Sequence, residues 1–266
     1  MIAWVIHAVT PVFGNAEWAV RLPAAFLHTA GAAFIYFLAR DMYGARVGMF
    51  ASLGYALMPA VILSSVVIST DGVLIPFWCA ALWALWRLRS GQGAWVSALG
   101  LGVAVGLGFL SKYAMLYFAI GIVLVLLIDV QSRRALFTWK GLAALAVAAA
   151  IFAPHLAWNA ANDFKTVSHT VDNANLGGNL INPENALTFL VDQLGVFGPI
   201  SFLALVFGIF VMRSEDEGIM GRDRWLLCFI LPVLLIILAQ AVLSRANANW
   251  AATAYPAASV LVAAWL

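Results

Sequence analysis

The stretch SSVVISTDGVLIPFW, residues 64–78, sets a short polar break that contains Asp71 between two apolar runs. The same pattern, an apolar run followed by a brief polar break, repeats along the chain. A carboxylate at the centre of a bilayer costs roughly 2.5 to 3.5 kcal/mol on the insertion scale. Asp71 is therefore expected either to lie at a membrane boundary or to serve a function that requires an acid there.

Composition places the chain among integral membrane proteins. Hydrophobic residues make up 64% of the 266 residues and charged residues only 10%, with a mean hydropathy of +0.97. The apolar runs are close to the length that a helix needs to cross the hydrocarbon, and they lack the alternation of a barrel strand. We therefore predict an all-α polytopic membrane protein.

The charge and the cysteines exclude other classes. The net charge is only +2, and the basic residues are spread over short loops, which argues against a nucleic-acid partner. Cys79 and Cys228 both fall within predicted spans, where a thiol behaves as a small apolar side chain. They indicate neither a disulfide framework nor a metal site.

Reading the apolar runs predicts about nine transmembrane helices in a single domain over 1–266. The predicted spans are 22–39, 47–66, 72–87, 94–110, 113–128, 141–157, 189–212, 225–243 and 250–266. The polar stretch 158–188, rich in Asn and Gly, is predicted to be a loop. Gly102 and Gly106 have the spacing of small residues that lets helices approach closely, so we expect them to form a packing face.

The basic residues predict the orientation, because Lys and Arg stay preferentially in cytoplasmic loops. The assignment with the clearer bias puts four loops on the cytoplasmic side: 40–46, 87–93, 129–140 and 213–224. These loops contain ten of the 14 basic residues. The four on the opposite side are Arg21, Lys112, Lys165 and Arg245. Asp71 and the 158–188 loop are then extracytoplasmic.

The two ends of the sequence suggest a fragment. Residues 1–12, MIAWVIHAVTPV, are too few to span and have the pattern of an interfacial helix on the extracytoplasmic face. A chain that begins on that face needs a preceding span or signal to carry it across. The other end stops at Leu266, inside an apolar run. We therefore expect at least one helix before Met1.

Lys112, in GFLSKYAML, is the most informative basic residue, because it lies in a two-residue break between long apolar runs. It is either a snorkelling anchor or part of an anion-binding site. Lys112 and Arg21 together would suit a lipid-linked phosphate, which needs cations at headgroup depth. Arg245, in LSRANANW, is a weaker third candidate.

The acidic and imidazole groups have structural interpretations beside the catalytic ones. Asp71 could be the N-cap of the helix that follows it, a role compatible with function. His169 and Asp172, in SHTVDNAN, could act as a base and its orienting carboxylate, although loop polarity also explains them. Glu17 precedes Arg21 by four residues, the spacing of a helical ion pair. The other histidines are scattered, so no metal site is predicted.

Five segments, in this order, resemble the bacterial branch of glycosyltransferase family 39, the relatives of protein O-mannosyltransferases and of the lipid A aminoarabinose transferase. They are FGNAEWAVRLPAAF, RDMYGARVGMFASLGYALMP, STDGVLIPFW, GLGFLSKYAMLY and NWAATAYPAASVLVAAWL. The resemblance implies a GT-C enzyme of the inner membrane, with its active face extracytoplasmic. Such an enzyme moves a sugar from a polyprenyl phosphate carrier to a lipid, glycan or protein acceptor, with no nucleotide or other cofactor.

The resemblance also assigns residues to roles. Asp71 matches the family's second acidic position and Lys112 a basic position near the carrier phosphate, with Arg21 beside them. The family's primary catalytic acid precedes the stretch that residues 1–14 resemble, so it is absent from this sequence. The 158–188 loop, which carries His169 and Asp172, would cover the acceptor side. Two alternatives stay open: a membrane transporter or lipid flippase, and a non-catalytic truncated relative.

Overall fold

The protein is described by a computed structural model over residues 1–174, 181–211 and 216–266, and all regular structure in these ranges is helical. The α-helices are α1 (Ile2–Phe13), α2 (Glu17–Tyr43), α3 (Ala45–Ala56), α4 (Pro59–Ser65), α5 (Thr70–Arg89), α6 (Ala94–Ser111), α7 (Leu116–Ile128), α8 (Val130–Leu136), α9 (Trp139–Ala161), α10 (Lys165–Ala174), α11 (Pro183–Phe197), α12 (Pro199–Val211), α13 (Glu217–Leu243) and α14 (Tyr255–Trp265). Two 3₁₀ helices, Tyr113–Met115 and Ala248–Ala254, precede α7 and α14.

The prediction of a multi-pass helical membrane protein is confirmed. Five of the described helices, α2, α5, α6, α9 and α13, are long and apolar enough to cross a membrane. Three further combinations reach that length only as bent pairs: α3 with α4 at 61°, α7 with α8 at 116° and α11 with α12 at 116°. The described residues therefore give five to eight spans, and the predicted count of nine is not confirmed.

Two predicted elements have a different form in the structure. The span predicted at 189–212 is divided at Gly198, whose φ of 93° ends α11 before Pro199 begins α12. The stretch 158–188 is not a continuous loop, because it contains helix α10 and the adjoining ends of α9 and α11. Hydropathy detected neither feature: Gly198 lies within a run that is apolar on both sides, and α10 consists mainly of polar residues.

The predicted packing face is confirmed where α6 meets α9. A Cβ added to Gly102 would lie 2.5 Å from the carbonyl oxygen of Ala144, and one added to Gly106 would lie 2.8 Å from Cβ of Ile151. Neither position has room for a side chain, so the two glycines let the backbones of the helices approach closely.

Within the described residues, the predicted cytoplasmic loops meet at one end of the helical bundle, which we call the basic end. Side chains of α2 and α8 contact α13 there, and a side chain of α5 contacts Asp129 between α7 and α8. This agrees with the alternation predicted from the sequence. The contacts are Tyr43 Oη to Asp223 Oδ1 (2.6 Å), Arg89 Nε to Asp129 Oδ2 (2.7 Å) and Trp225 Nε1 to Ser132 Oγ (3.3 Å).

Candidate active site

Asp71 lies in the first turn of α5, and its carboxylate is not the helix cap. Ser69 is the N-cap, since its Oγ accepts a hydrogen bond from the Gly72 amide at 3.0 Å. The N-cap interpretation of Asp71 is therefore wrong, because the hydroxyl two residues earlier satisfies the orphan amide. The Asp71 carboxylate remains available for contacts with other helices.

Lys112 provides the first of these contacts. Its Nζ lies 2.8 Å from Asp71 Oδ1, and the two side chains are 28% and 15% exposed. Lys112 follows α6 in an extended conformation, with φ −163° and ψ 140°, so the chain turns out of the helix at this residue. The ammonium group has three donors, and the salt bridge uses one of them. The described residues thus form a cation with unused donors beside a carboxylate.

Asn249 provides the second contact to the Asp71 carboxylate. Its Nδ2 donates to Asp71 Oδ2 at 2.7 Å, across 178 residues of sequence. One oxygen of Asp71 therefore accepts from an ammonium and the other from an amide, which fixes the orientation of the carboxylate. The sequence reasoning missed Asn249, because an asparagine in a polar, Asn-rich connection carries no signal of its own.

Arg245 lies in the same connecting segment as Asn249, between α13 and the second 3₁₀ helix. Its side chain is exposed, and the described residues offer it neither an ion pair nor a side-chain hydrogen bond. The contact between Asn249 and Asp71 brings this segment to the end of the bundle where Asp71 lies. Arg245 is thus an uncompensated cation on the segment that reaches the Asp71–Lys112 pair.

Arg21 is not joined to Asp71 or Lys112 by any contact among the described residues. It pairs with Glu17 at 2.5 Å, and both side chains are largely exposed. This confirms the ion pair predicted from their spacing on α2. The proposal that Arg21 belongs to the phosphate site stays a prediction.

His169 and Asp172 belong to helix α10 rather than to a loop. Asp172 is exposed, and the side chain of His169 lies outside the described part of the chain. The pairing of a base with its orienting carboxylate at these positions stays a prediction.

A polar network that the sequence did not reveal connects α10 to the region of Lys112. Tyr113, the neighbour of Lys112, has its hydroxyl 2.9 Å from His155 Nε2 and 3.0 Å from Asn159 Nδ2. The amide of Asn159 is buried, and its Oδ1 accepts from the backbone N–H of Thr166 at 3.2 Å. Asn159 therefore attaches the first turn of α10 to α9 and to the residue that follows Lys112.

No group of three or more His, Cys, Asp or Glu side chains with metal-binding geometry occurs in the described ranges. His28, which is buried, contacts Tyr55 Oη at 3.0 Å and Ser64 Oγ at 2.7 Å. Both ring nitrogens thus have hydroxyl partners, and the group links α2, α3 and α4.

A family model described as dolichyl-phosphate-mannose-protein mannosyltransferase matches residues 1–158. Among curated proteins, the lipid A galacturonosyltransferase RgtD of Rhizobium johnstonii is 38% identical over 270 residues, covering 100% of this chain and 55% of RgtD. The lipopolysaccharide core galacturonosyltransferase RgtA of the same organism is 30% identical over 136 residues, covering 48% of this chain and 26% of RgtA. The chain thus spans about half the length of RgtD.

The chain also resembles solved structures of membrane proteins in its fold. ArnT from Cupriavidus metallidurans bound to undecaprenyl phosphate has a TM-score of 0.77 at 17% identity, over 99% of this chain and 48% of ArnT. The Archaeoglobus fulgidus oligosaccharyltransferase has a TM-score of 0.56 at 15% identity, over 98% of this chain and 40% of that protein. The fold is therefore that of the GT-C membrane glycosyltransferases.

Within that class, the family model matches more than half of the residues, and this match identifies the family. The chain belongs to the dolichyl-phosphate-mannose-protein mannosyltransferase family.

Proposed function

We propose that residues 1–266 form a transmembrane domain of a glycosyltransferase that moves a sugar from a polyprenyl phosphate carrier to an acceptor on a glycolipid. Family membership supports sugar transfer from a lipid-phosphate carrier, and the relation to RgtD supports a galacturonosyl donor and a lipid A acceptor. The ArnT structure, bound to undecaprenyl phosphate, supports a polyprenyl carrier. The observation that carries the proposal is the salt bridge between Asp71 and Lys112, with its unused ammonium donors.

In the proposed reaction, the acceptor hydroxyl attacks the anomeric carbon of the sugar, and the bond from that carbon to the carrier phosphate breaks. The electron pair of this bond leaves with the phosphate oxygen, where Lys112 stabilises the charge. Arg245, on the adjoining segment, adds a second cation. Among the described residues, Asp71 is the carboxylate that contacts Lys112. It accepts the proton of the acceptor hydroxyl.

We also propose that the Asp71 end faces the extracytoplasmic side of the inner membrane. The support is the excess of arginine at the basic end, since cytoplasmic loops retain Lys and Arg. Helix α10, which contains Asp172, then lies on the acceptor side. A transporter gains no support from the comparisons, because every named relative is a transferase.

The test is transfer of radiolabelled galacturonic acid from polyprenyl phosphate to lipid A in membranes that contain the protein. We expect Asp71→Asn and Lys112→Ala each to lower the transfer rate about a hundredfold or more, because each removes a group that acts on the reacting atoms. The matched control is Asp163→Asn with Lys165→Ala, two exposed residues in the turn before α10 and at its first position, which should keep the rate within about twofold.

Two results would contradict these proposals separately. Full activity in the Asp71→Asn, Lys112→Ala double variant would reject the site while leaving the reaction intact. A wild-type protein that transfers no sugar from any polyprenyl phosphate donor would reject the function.

A further inference from the structure

A cavity lies at the basic end, away from Asp71. It has a volume of about 310 Å³ and opens between the C-terminus of α5, helix α8 and the N-terminus of α9. Polar and basic side chains contribute much of its wall, in particular Arg89, Gln131, Arg134, Thr138 and Lys140. A cavity lined by three cations is suited to an anion.

Two of the three cations have no compensating partner in the described ranges. Arg89 is neutralised by Asp129, which it contacts at 2.7 and 2.9 Å through two hydrogen bonds. No carboxylate or hydrogen-bond acceptor of the described residues contacts the side chains of Arg134 or Lys140. The cavity therefore has a net positive charge that the described residues do not balance.

Helix α9 adds to this field. Its N-cap is Thr138, whose Oγ1 accepts from the Gly141 amide at 3.4 Å, and both Thr138 and Lys140 line the cavity. The N-terminus of a 23-residue helix carries partial positive charge, so a lysine in its first turn is electrostatically unfavourable. An anion in the cavity would offset the partial positive charge of the helix N-terminus and the charge of Lys140.

Exposed aromatic residues place the cavity at headgroup depth. Phe137 and Trp139 flank it at the connection from α8 to α9, and they are 78% and 79% exposed. Aromatic side chains that are exposed at the end of a membrane span favour the boundary between hydrocarbon and water. An anion at this depth is more readily supplied by a lipid headgroup than by a soluble solute.

We propose that this cavity binds the headgroup of an anionic phospholipid, with Arg134 and Lys140 contacting its phosphate and the acyl chains lying beside Phe137 and Trp139. The site is separate from the carrier-lipid site proposed at Lys112, because it lies at the other end of the bundle. It does not depend on the proposed reaction.

The test uses the purified protein in zwitterionic detergent micelles, titrated with phosphatidylglycerol. Bound lipid is counted by native mass spectrometry, and the thermal unfolding midpoint is followed in parallel. Wild-type protein should retain phosphatidylglycerol in preference to phosphatidylcholine and should unfold at a higher temperature in its presence. Arg134→Gln with Lys140→Gln should weaken the apparent affinity about thirtyfold, since each cation near a headgroup contributes on the order of fivefold.

The matched control is Arg46→Gln with Arg224→Gln, which removes the same charge from exposed positions at the basic end outside the cavity. It should bind the lipid like the wild type. Equal losses in the two double variants, or no loss in the cavity variant, would overturn the proposal. So would an equal thermal shift with inorganic phosphate alone, which would identify a free anion. Lys140→Gln by itself, expected to weaken binding about fivefold, keeps the test decisive if the double variant does not fold.

Discussion

At the scale of residues, the carboxylate of Asp71 is defined by contacts at both of its oxygens. Lys112 contacts one oxygen at 2.8 Å and Asn249 the other at 2.7 Å. Ser69 caps the helix and so leaves the carboxylate unoccupied by local backbone contacts. A carboxylate with a fixed direction is suited to taking a proton from one defined position of an acceptor.

Asn249→Ala is expected to lower kcat for sugar transfer roughly ten- to hundredfold, because a charge-assisted hydrogen bond that orients Asp71 is lost. KM for the lipid donor should change by less than about threefold, since Lys112 is unaltered. The assay is the same membrane transfer reaction, with varied donor concentration. Asn247→Ala, at an exposed position two residues earlier, is the control and should match the wild type.

A merely structural role for Asn249 would give a different result. The amount of folded protein in the membrane would fall, while kcat per folded molecule would stay at the wild-type value. That outcome would contradict the positioning role.

The sequence singled out Asp71 and Lys112 as candidates, because an ionisable residue in a short break between apolar runs is rare and costly, and the structure brings the two into contact. It could not select Asn249, whose role arises from a contact across 178 residues. Nor could it exclude a cap at Asp71, since Ser69, Thr70 and Asp71 are all residue types that cap helices. The choice among them depends on where the backbone leaves the extended conformation.

At the scale of elements, the bend between α11 and α12 depends on one residue. Gly198 has φ 93° and ψ 140°, a conformation that glycine adopts freely and other residues avoid. Pro199 then begins the next helix, where its missing N–H is not needed. A Cβ at Gly198 would lie 3.7 Å from Pro59 Cδ, an ordinary contact, so the requirement for glycine comes from the backbone and not from crowding.

Gly198→Ala is expected to lower the free energy of unfolding by about 1 to 2 kcal/mol, because alanine is strained at positive φ. Gly195→Ala, three residues earlier inside α11 and with open space around its Cα, should raise it by about 0.5 to 1 kcal/mol. The measurement is reversible unfolding in mixed micelles of increasing denaturing detergent. Equal effects of the two substitutions would contradict the role assigned to Gly198.

Helix α10 shows why an element can be missed from sequence. Its residues KTVSHTVDNA are mostly types that favour caps and turns, so their propensity predicts a loop. The buried amide of Asn159 accepts from Thr166 N–H in the first turn. This tertiary contact contributes stabilisation that the low helix propensity of the segment does not provide. The turn before it places Asp163 and Phe164 at positive φ, which no local pattern predicts.

At the scale of the whole molecule, contacts to three carboxylates lie at two ends of the bundle. Asp71, Lys112 and Asn249 meet at one end, whereas Asp223 and Asp129 meet their partners at the other. The hydropathy pattern was enough to predict this arrangement, because apolar spans must alternate between two aqueous faces. Its count of nine spans is not confirmed: the described helices give five spans, or up to eight when each bent pair is counted as one, because hydropathy does not register a bend inside an apolar run.

The proposed orientation predicts the accessibility of single cysteines. Cys79 and Cys228 are buried, so cysteines introduced at exposed sites can be labelled with little background. In intact cells, a membrane-impermeant maleimide should label Lys165→Cys, near the Asp71 end, and should label Arg46→Cys only after permeabilisation. Both positions are exposed in the structure.

The opposite result, with Arg46→Cys labelled from outside and Lys165→Cys protected, would reverse the orientation and reject the proposed face of the reaction. Labelling of both from outside would contradict the two-ended arrangement itself. Arg224→Cys should behave like Arg46→Cys, because both are exposed positions in helices at the basic end.

The contact from Asn249 to Asp71 also determines when this centre matures during synthesis. A ribosome adding about 5 to 20 residues per second needs roughly 9 to 36 seconds to pass the 178 positions between them. Lys112 is made 41 residues after Asp71, so for most of that interval the nascent chain contains both residues of the salt bridge but not the amide that orients the carboxylate. The contact that orients the carboxylate can therefore form only after the segment that contains Asn249 has been synthesised.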